Sequence, residues 1–518
     1  MAEAYLIDQF IVTAEQMRQI EGRVFAGGMP VAALMEKVAG RITQWIAIQY
    51  PYYRGIRVGV LVGPGHNGGD ALVVARELYF KGYQVKLYQP FEKLKELTQA
   101  HAQYCRSLEI PVVESVDGLQ DCDFWVDGLF GFGLERSLEG ELTRAITQLN
   151  QSSIPIVSID LPSGLHTDTG QVLGTAVRAT HTLCLGLWKL GLLQDHALEW
   201  IGKAELIDFD LPLADIHAVL GREPKIQRIT SHAAIAHLPL TRSPTAHKYT
   251  AGHLLLVAGS HRYVGAAILA GLGARASGVG MLSIAVPESI KPLLSQSLPE
   301  ALIVGCPETA SGAIAAFPAD IELEKYSTIA CGPGLTLDAL KVVQAVLASQ
   351  RALVLDADGL NSLAQLGTLR ILQNRSAATV LTPHLGEFQR LFPELAEALT
   401  CRVTAVQAAA NQTGAIVLLK GARVAIADAH KVWLNPESTS ALARGGSGDI
   451  LTGLIGGLLA QAIASRSFVS HLEIVKSAVW WHAQAGILAA QERTILGVEP
   501  QTLATYLIPA LTQKISLI

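Results

Sequence analysis

Arg444-Gly445-Gly446-Ser447-Gly448-Asp449-Ile450-Leu451-Thr452-Gly453 is the stretch that most constrains the architecture of this 518-residue chain. An apolar run to Ala464 follows, which predicts a helix that begins near Ser447 or Gly448. Bare backbone N–H groups at a helix start bind anions, and glycine lets a phosphate approach the backbone closely. Asp449 in the first turn could take a proton from a hydroxyl that receives a phosphoryl group. A glycine-rich turn with a capping aspartate explains the same stretch without any function.

The overall composition favours an enzyme with large cores. Half of the residues are hydrophobic, 16% are charged and the net charge is -5, which disfavours a nucleic-acid or anionic-membrane surface. At roughly 150 residues per domain, the length predicts two to four domains. The first residues lack the pattern of a secretory signal, the apolar run after Asp449 is short and glycine-rich for a membrane span, and the six cysteines show no Cys-x-x-Cys spacing. We therefore expect a cytoplasmic enzyme without a zinc site, a disulfide framework or a membrane partner.

A glycine-rich stretch follows the first predicted strand. Residues 13–48 are predicted as helical, residues 57–62 as a strand, and residues 71–80 as a helix. Between strand and helix, residues 63–70 read Gly-Pro-Gly-His-Asn-Gly-Gly-Asp, and this order is the first unit of a doubly wound parallel sheet. The glycines fit G-x-G-x-x-G, but the next strand, residues 84–88, ends without an acidic residue to bind a ribose. This weakens the alternative of a hydride-transferring Rossmann dehydrogenase.

Two later predicted strands, residues 124–126 and 154–159, each end in an aspartate. The carboxyl ends of parallel strands share one edge of the sheet, where ligands bind. Any one of these aspartates alone is more often a turn or cap residue. Oxygen ligands without histidine or cysteine suit a hard cation such as potassium or magnesium. The polar residues that we expect to converge at this edge are Asn67, Asp70, Asp127, Asp160 and Ser163.

Together, the motifs at residues 63–70, 126–131 (Val-Asp-Gly-Leu-Phe-Gly) and 160–164 (Asp-Leu-Pro-Ser-Gly) resemble those of the NAD(P)H-hydrate epimerases. The resemblance extends from about Thr13 to Pro212 and implies a Rossmann-like doubly wound domain in which Asp160 is catalytic. Many members of that family carry asparagine at the position of His66 and glycine at that of Ala71. The resemblance implies a potassium ion held by Asn67, Asp127 and Ser163. The substrate-binding residues that it implies are His66, Asn67, Gly68, Gly69, Asp70, Gly131, Phe132, Gly133, Leu134, Glu135, Arg136, Ser137 and Asp160.

A second α/β series follows residues 213–245, a motif-poor segment with three prolines in which we place the linker. Taken singly, His384 is explained as a turn residue, Asp356 and Asp358 as helix caps, and Lys420 as a solvated loop residue. Together, a lysine, an aspartate and a glycine-rich helix start are what phosphate handling requires, although no G-x-x-x-x-G-K-[ST] loop is present. The strands and one Ala-rich helix predicted here lie at residues 252–260, 264–277 (helix), 281–286, 328–331, 353–355, 379–381, 416–419, 424–427 and 432–434.

The motifs Gly332-Pro-Gly334, Asp356-Ala-Asp358, Thr382-Pro-His-Leu-Gly-Glu387, Leu419-Lys-Gly421 and Gly445 to Asp449 resemble the ribokinase-like superfamily. More narrowly, they are similar to those of the ADP- or ATP-dependent NAD(P)H-hydrate dehydratases, over about residues 226–510. This resemblance implies magnesium, ADP or ATP as co-substrate, and Asp449 as the catalytic base. The hydrate contacts that it implies are Ala266, Gly334, His384 and Asp449. The nucleotide contacts that it implies are Lys420, Gly421, Ala422, Arg423, Val424 and Gly448.

These resemblances imply a two-domain α/β enzyme that repairs hydrated NADH and NADPH. An epimerase domain at residues 1–220 would interconvert the R and S hydrates, and a dehydratase domain at residues 226–518 would dehydrate the S form. We expect small-molecule substrates, no nucleic-acid partner and a homo-oligomer. Three alternatives stay open: a kinase of hydroxymethylpyrimidine or another small alcohol, a first domain that binds a ligand without turnover, and the Rossmann dehydrogenase.

Overall fold

A seven-stranded sheet organises the first of the two units into which the chain divides, Met1–Pro224 and Lys225–Ile518. The structure, a computed structural model, describes residues 6–52 and 55–516. The strands described in the first unit are β1 (Ile11–Val12), β2 (Arg57–Val62), β3 (Gln84–Tyr88), β4 (Val112–Val113), β5 (Phe124–Gly128), β6 (Ile156–Ile159), β7 (His181–Leu185), β8 (Trp188–Lys189) and β9 (Lys203–Ile207). The α-helices described there are α1 (Ala14–Ala26), α2 (Val31–Gln49), α3 (His66–Phe80), α4 (Glu96–Ser107), α5 (Glu141–Gln151), α6 (Leu198–Ile201) and α7 (Leu213–Leu220).

The large sheet has the order β4-β3-β2-β5-β6-β7-β9, and its neighbouring strands are parallel. Strand β2 is the first strand of this sheet in the chain. Strands β3 and β4 follow on one side of β2, and the chain then returns to place β5 and the later strands on its other side. The strand order therefore reverses between β2 and β5, and doubly wound sheets bind their ligands in the crevice at such a point. The predicted doubly wound α/β fold is confirmed for this unit.

The central strands are buried on both faces. In β2, Val58, Val60 and Val62 belong to one apolar cluster with side chains of α1, α2 and α3, whereas Leu61 belongs to a second cluster with Trp125 and side chains of α5. Successive side chains of a strand point to opposite faces, so both faces of this strand are covered by helices. This explains why the strand reads as a continuous apolar run rather than an alternating one.

Two boundaries in this unit differ from the expectation from sequence. Helix α3 begins at His66 rather than at Ala71, so the glycine-rich motif forms its first turn and not a loop. Glycine disfavours helix interiors, which is why the pattern indicates a loop. Gly68 is nevertheless required, because a Cβ there would lie 1.9 Å from the carbonyl oxygen of Gly63. The predicted helix of residues 13–48 is two helices, because the chain turns at residues 27–30, where Gly28 has a φ of 101°.

A ten-stranded sheet organises the second unit, of which the structure describes residues 225–516. Its described strands are β10 (Ile226–Arg228), β11 (His253–Val257), β12 (Met281–Pro287), β13 (Leu302–Cys306), β14 (Thr328–Cys331), β15 (Ala352–Leu355), β16 (Thr379–Leu381), β17 (Ile416–Leu419), β18 (Ala425–Ala427) and β19 (Val432–Leu434). Its described α-helices are α8 (Ser231–Ala236), α9 (Val264–Ala276), α10 (Lys291–Ser297), α11 (Leu340–Ala348), α12 (Ala357–Leu366), α13 (Thr368–Leu372), α14 (Leu385–Leu391), α15 (Arg402–Thr413), α16 (Ser447–Ala464), α17 (His471–Arg493) and α18 (Pro500–Ile515).

The order of this sheet is β10-β19-β18-β17-β16-β15-β14-β11-β12-β13. Its pairs are parallel except β17 with β18 and β18 with β19, which are antiparallel. The boundary between the two units, after Pro224, lies within the predicted linker, residues 213–245. The segment is not an irregular linker, however, because it contains α7, α8 and β10, and β10 pairs with β19. A three-residue strand is too short to show a period in its sequence, which is why the pattern missed it.

Helix α16 is the core helix of the second unit. It is 18 residues long and apolar enough to cross a membrane, but 78% of it is buried inside the protein, as in a core helix. It packs closely against α9 through glycines on both helices. A Cβ at Gly453 would lie 1.8 Å from the carbonyl oxygen of Ala270, and one at Gly273 would lie 2.0 Å from that of Ile450. The start of α16 is thereby fixed next to α9.

Candidate active sites

In the first unit, the predicted residues meet at the point where the strand order reverses. The end of β2 is bonded to the end of β5, because the N–H of Gly63 donates to the carbonyl of Gly128 at 3.1 Å. A Cβ at Gly131 would lie 3.0 Å from Asn67 Oδ1 and 3.2 Å from Asp160 Oδ2. The turn after β5 is therefore enclosed by the start of α3 on one side and the end of β6 on the other.

Asp127 is fully buried within β5, and four groups donate to its carboxylate. The hydroxyl and the backbone N–H of Ser163 donate at 2.6 and 2.9 Å, the Ser158 hydroxyl at 2.8 Å, and the Leu129 N–H at 3.2 Å. Burial raises the pKa of Asp127, and these hydrogen bonds oppose that shift. The Ser163 hydroxyl also accepts from the N–H of Phe130 at 2.8 Å. Asp127 and Ser163 thus form one rigid cluster of oxygen atoms beneath the turn.

Asn67, Asp127 and Ser163 are the candidate oxygen ligands for a cation at this turn. The amide nitrogen of Asn67 is buried without a hydrogen-bond partner, and its amide oxygen faces the turn at Gly131. With Asp127 and Ser163, the candidate ligands are oxygen atoms that carry one formal negative charge. Magnesium demands near-ideal octahedral geometry, whereas a larger monovalent ion tolerates such an irregular set.

Asp160 has a strained backbone conformation, and its carboxylate is paired with a fully buried lysine. Its φ is 68°, in the left-handed region that costs a non-glycine residue about 1–3 kcal/mol. Lys189 Nζ lies 2.5 Å from Oδ1, and the N–H of Phe132 donates to Oδ2 at 2.9 Å. Burial alone would lower the pKa of Lys189, but the charge and hydrogen bond of Asp160, together with Cys184 and Glu21, raise that pKa overall. Backbone strain of this kind is characteristic of functional sites.

Two further carboxyl groups lie in the same electrostatic environment. Strand β8 pairs with β1, so that Val12 lies opposite Lys189 and helix α1 begins beside the site. Burial raises the pKa of Glu21 on α1 to about 7, with Asp160 adding to the shift and Lys189 opposing it. Burial also raises the pKa of Asp70 well above its ordinary value, and Glu21 and Asp160 raise it further. The site therefore combines one ammonium group with three carboxyl groups.

The predicted substrate residues of the first unit line the outer side of this cluster. Gly131 and Phe132 are half-buried, Leu134 is buried, and His66 is exposed. The N–H of Gly133 donates to the Thr167 hydroxyl at 3.2 Å, which fixes the turn from beneath. The remaining members of the predicted loop are exposed to solvent: Glu135, Arg136 and Ser137.

In the second unit, Asp449 is the third residue of α16, which begins at Ser447 as predicted. The N-cap residue is Gly446, whose φ of 100° favours glycine. Asp449 therefore lies beside the helix start and does not cap it, which corrects the capping alternative. Burial raises the pKa of Asp449 to about 7; the negative charge of Asp356 adds to the shift and Lys420 opposes it. A base with a pKa near neutrality suits general base catalysis.

Lys420 is bonded to a buried carboxylate and is not a solvated loop residue. Its Nζ lies 2.6 Å from Asp356 Oδ1, and the Thr452 hydroxyl donates to Asp356 Oδ2 at 2.6 Å. A Cβ at Gly448 would lie 3.4 Å from Lys420 Nζ, so the glycine leaves the lysine amine against the helix start. Burial alone would lower the pKa of Lys420, but Asp356 and Glu387 outweigh it and raise that pKa. A permanent positive charge is thereby placed beside Asp449.

His384 caps helix α14 and does not serve only as a turn residue. Its Nδ1 accepts from the N–H groups of Gly386 at 3.0 Å and Glu387 at 3.4 Å. The His384 N–H donates to Glu387 Oε2 at 2.9 Å, and this bond forms a capping box with that from the Glu387 N–H. Glu387 Oε2 also lies 4.0 Å from Lys420 Nζ. Since Nδ1 accepts, a neutral His384 carries its proton on Nε2.

The remaining predicted residues of the second unit lie around this centre. Gly334 packs on α9, where its Cβ would lie 2.8 Å from the Cβ of Ala266. Leu269, one turn further along α9, packs against Gly446 at the start of α16. The predicted nucleotide-binding loop leaves directly from Lys420: Gly421 and Ala422 are exposed, and Arg423 and Val424 are half-buried.

Lys189, Glu21 and Thr452 were not predicted from the sequence as site residues, and Asp356 was predicted as a helix cap or as part of a motif, without a bond to Lys420. A signal for Lys189 was present, because a single lysine within the apolar run of residues 183–193 indicates a buried and paired charge. Glu21 carried no such signal, since its proximity to Asp160 depends on the long-range pairing of β1 with β8.

The second unit combines a mostly parallel sheet with an aspartate and a buried lysine at a glycine-rich helix start, which are the groups that phosphoryl transfer requires. The sequence model described as NAD(P)H-hydrate dehydratase matches residues 254–509, and that described as YjeF-related protein N-terminus matches residues 31–191.

Full-length relatives have the same organisation. The chain is 54% identical to the bifunctional NAD(P)H-hydrate repair enzyme of Thermosynechococcus vestitus over 98% of each chain. It is 53% identical to that of Synechocystis sp. over 97% of this chain and 95% of the relative. A solved structure, the ADP/ATP-dependent NAD(P)H-hydrate dehydratase of Bacillus subtilis, is 34% identical over 55% of this chain and 97% of its own, with a TM-score of 0.47. The chain belongs to the family of bifunctional NAD(P)H-hydrate repair enzymes, and the predicted family is confirmed.

Proposed function

We propose that this chain repairs hydrated NADH and NADPH. Its first unit interconverts the R and S hydrates, and its second dehydrates the S hydrate in a reaction that consumes ADP or ATP. The observation that carries the proposal is the position of Asp449, in the first turn of α16 and beside the bonded pair of Lys420 and Asp356. A proton acceptor, a positive charge and free helix N–H groups are the groups that phosphoryl transfer to a hydroxyl requires.

The proposed dehydration replaces a poor leaving group with a good one. Asp449 takes the proton of the ring hydroxyl as its oxygen attacks the terminal phosphoryl group, and N–H groups near Gly448 stabilise the charge that develops. The phosphate then leaves with the electron pair of the carbon–oxygen bond while the ring nitrogen donates its lone pair. Loss of a proton from the adjacent carbon restores the carbon–carbon double bond of NAD(P)H.

The hydrate is proposed to contact Ala266, Gly334 and His384, and the nucleotide to contact Lys420, residues 421–424 and Gly448. Among the described residues, no group of three His, Cys, Asp or Glu side chains forms a preformed metal site. This fits magnesium that is bound mainly by nucleotide phosphates, as is usual for this ion. When bound, magnesium would neutralise the charge on the transferred phosphoryl group.

The proposed epimerisation takes place at the turn of residues 131–137, with Asp160 as the proton-transferring group. Asn67, Asp127 and Ser163 are proposed to hold potassium, which would supply a fixed positive charge beneath the turn. The four hydrogen bonds to Asp127 fix the orientation of the carboxylate that the proposal assigns to the ion.

One assay tests the dehydration most simply. Hydrated NADH is incubated with the protein, magnesium and either ADP or ATP, and absorbance in the reduced-nicotinamide band is followed. We expect recovery of the band with at least one of the two nucleotides and none without a nucleotide. A stable phosphorylated product without recovery of the band would identify a kinase of a small alcohol instead.

Potassium dependence is tested by replacing potassium chloride with choline chloride at constant ionic strength. We expect potassium to accelerate epimerisation and to raise the unfolding temperature, because a bound ion stabilises the folded state. Asp127→Asn should remove both effects, whereas Asp121→Asn, at a half-exposed aspartate of the same unit, should retain them. An unchanged potassium response in Asp127→Asn would refute the assigned ligands.

A homo-oligomer and a cytoplasmic location are further parts of the proposal. Light scattering of the purified protein and fractionation of cells that express it test the two directly. A monomer, or recovery of the protein with membranes, would refute the corresponding part.

A further inference from the structure

Lys189 is a fully buried lysine to which the proposed reactions assign no role. Its side chain has 0% exposure, and its Nζ lies 2.5 Å from both Asp160 Oδ1 and the carbonyl oxygen of Leu185. Lysine is almost never fully buried unless its charge is paired. A charge held so deep in the first unit, against a strained aspartate, indicates a purpose other than stability, because a buried ion pair is weak evidence for stabilisation.

The two oxygen atoms of Asp160 have different partners. Oδ1 is bonded to Lys189 and accepts from the N–H of Leu185 at 3.3 Å. Oδ2 accepts from the N–H of Phe132 and lies 3.2 Å from the position that a Cβ on Gly131 would occupy. The lysine therefore fixes the inner oxygen of the carboxylate, and the outer oxygen faces the turn proposed to bind the hydrate.

The titratable groups around Asp160 are mostly acidic. Glu21 faces it from α1 and Asp70 from α3, and both interact with it electrostatically. A positive charge is favourable in such acidic surroundings. Lys189, on β8, supplies it, and its ammonium group is bonded to Asp160.

We propose that Lys189 is a positioning residue of the epimerase site. Its ammonium group, bonded to Oδ1, orients the carboxylate of Asp160 so that Oδ2 takes the proton of the ring hydroxyl of the hydrate and returns it. This inference rests on the proposed epimerase function. Of the three carboxyl groups, the one bonded to Lys189 is therefore the base, and that group is Asp160.

The step balances without a further reactant. The carbon that carries the added hydroxyl is also bonded to the ring nitrogen. When Asp160 removes the O–H proton, the oxygen forms a carbonyl, the carbon–nitrogen bond breaks, and its electron pair passes to the nitrogen. The nitrogen then adds to the other face of the carbonyl, and Asp160 returns the proton to oxygen, which yields the other epimer.

A single progress curve measures this activity together with an internal control. With excess nucleotide, a mixture of R and S hydrates gives a fast phase, in which the S hydrate is dehydrated, and a slow phase limited by epimerisation. For Lys189→Met, we expect the slow phase to lose at least about 10²-fold in kcat, as for a lost general base, with little change in KM. The fast phase should be unchanged. The matched control is Lys203→Met, at an exposed lysine paired with Glu205, which should retain both phases.

A double variant separates positioning from a structural role. Lys189→Met leaves a buried carboxylate without its partner, so we expect a lower unfolding temperature. Lys189→Met combined with Asp160→Asn removes both charges and should recover much of that temperature without recovering epimerisation. Its rate should equal that of Asp160→Asn alone, because Lys189 acts only through Asp160.

Two results would overturn the inference: a near-normal slow phase in Lys189→Met, or a double variant that epimerises much more slowly than Asp160→Asn. If the proposed epimerase function itself were wrong, the progress curve of the unaltered protein would show it. In that case the unaltered protein would show no slow phase above the spontaneous rate, and the epimerase assignment would fall together with this inference.

Discussion

Asp160 and Asp449 are acidic side chains that differ in how closely a lysine contacts them. Asp160 is bonded directly to the buried Lys189. Asp449 lies near Lys420, but the amine of that lysine is bonded to Asp356. Burial, together with the like charge of Asp356, therefore raises the pKa of Asp449 to about 7. An aspartate in this condition takes up a proton readily near neutral pH and returns it as readily.

Asp449→Asn should stabilise the protein at neutral pH. Its folded-state pKa of about 7 exceeds the ordinary value of 3.8, so the unfolded chain loses the proton first and stability falls as pH rises between those values. Since one pKa unit corresponds to about 1.4 kcal/mol, we expect a gain of at least about 1 kcal/mol at pH 8 and little gain near pH 4. Because Gly446 is the N-cap, the variant loses no capping bond. Thermal or denaturant unfolding at pH 4, 6 and 8 measures the difference, and a gain independent of pH would contradict the account.

At the scale of elements, helices α9 and α16 position the proposed catalytic groups of the second unit. Their backbones approach closely because Gly273 and Gly453 lie at the contact. The approach fixes the start of α16 against Leu269, one turn from Ala266. The geometry of the site therefore depends on glycines that lie several residues from the proposed chemistry.

Gly453→Ala should destabilise the second unit and impair dehydration. Its Cβ would lie 1.8 Å from the carbonyl oxygen of Ala270, so the two helices must separate, at a cost of about 1–3 kcal/mol or more. The matched control is Gly265→Ala on α9, where no atom lies within 4 Å and alanine should stabilise by about 0.5–1 kcal/mol. Denaturant unfolding of both variants measures the effect. Equal stability of the two would refute the close contact.

Much of the secondary structure was predictable, because buried parallel strands are short apolar runs that end in turns. Strands β3, β14, β16, β17 and β19 coincide with their predicted ranges. The start of α3 was not predictable, since a run of glycines at a helix start resembles a loop. Strand β10 was missed because three residues show no pattern.

The residues of the candidate sites were likewise predictable only in part. Motif residues such as Asn67, Asp127 and Lys420 were predictable because strand ends converge at one edge of a sheet. The side chains to which such residues are bonded were not predictable from the sequence. The bond between Lys420 and Asp356 joins residues on different strands, and that between Asp160 and Lys189 depends on a crossover that no local pattern records.

At the scale of the whole molecule, two complete α/β units follow one another in one chain. Each has its own sheet and its own buried apolar clusters. Units of this size with separate cores can in principle fold alone. The division supports a chain in which one activity supplies the substrate of the other.

Separate fragments should retain separate activities. We expect residues 1–224 to interconvert the R and S hydrates and residues 225–518 to dehydrate the S hydrate with ADP or ATP. Circular dichroism checks folding, and the hydrate assays check each activity. If both fragments were unfolded or inactive under conditions in which the full chain works, the two units would not be independent.

The central claim of the account is that Asp449 is the base of a nucleotide-dependent dehydration, and the dehydration rate of Asp449→Asn tests it most directly. Asparagine has almost the same size but accepts no proton, so we predict a loss of at least about 10²-fold in kcat. Nucleotide affinity should be equal or higher, since a negative charge near the phosphates is removed. Epimerisation should be unchanged, and Asp320→Asn, at an exposed aspartate of the same unit, should behave as the unaltered protein. Near-normal dehydration by Asp449→Asn would contradict the account and would require another base.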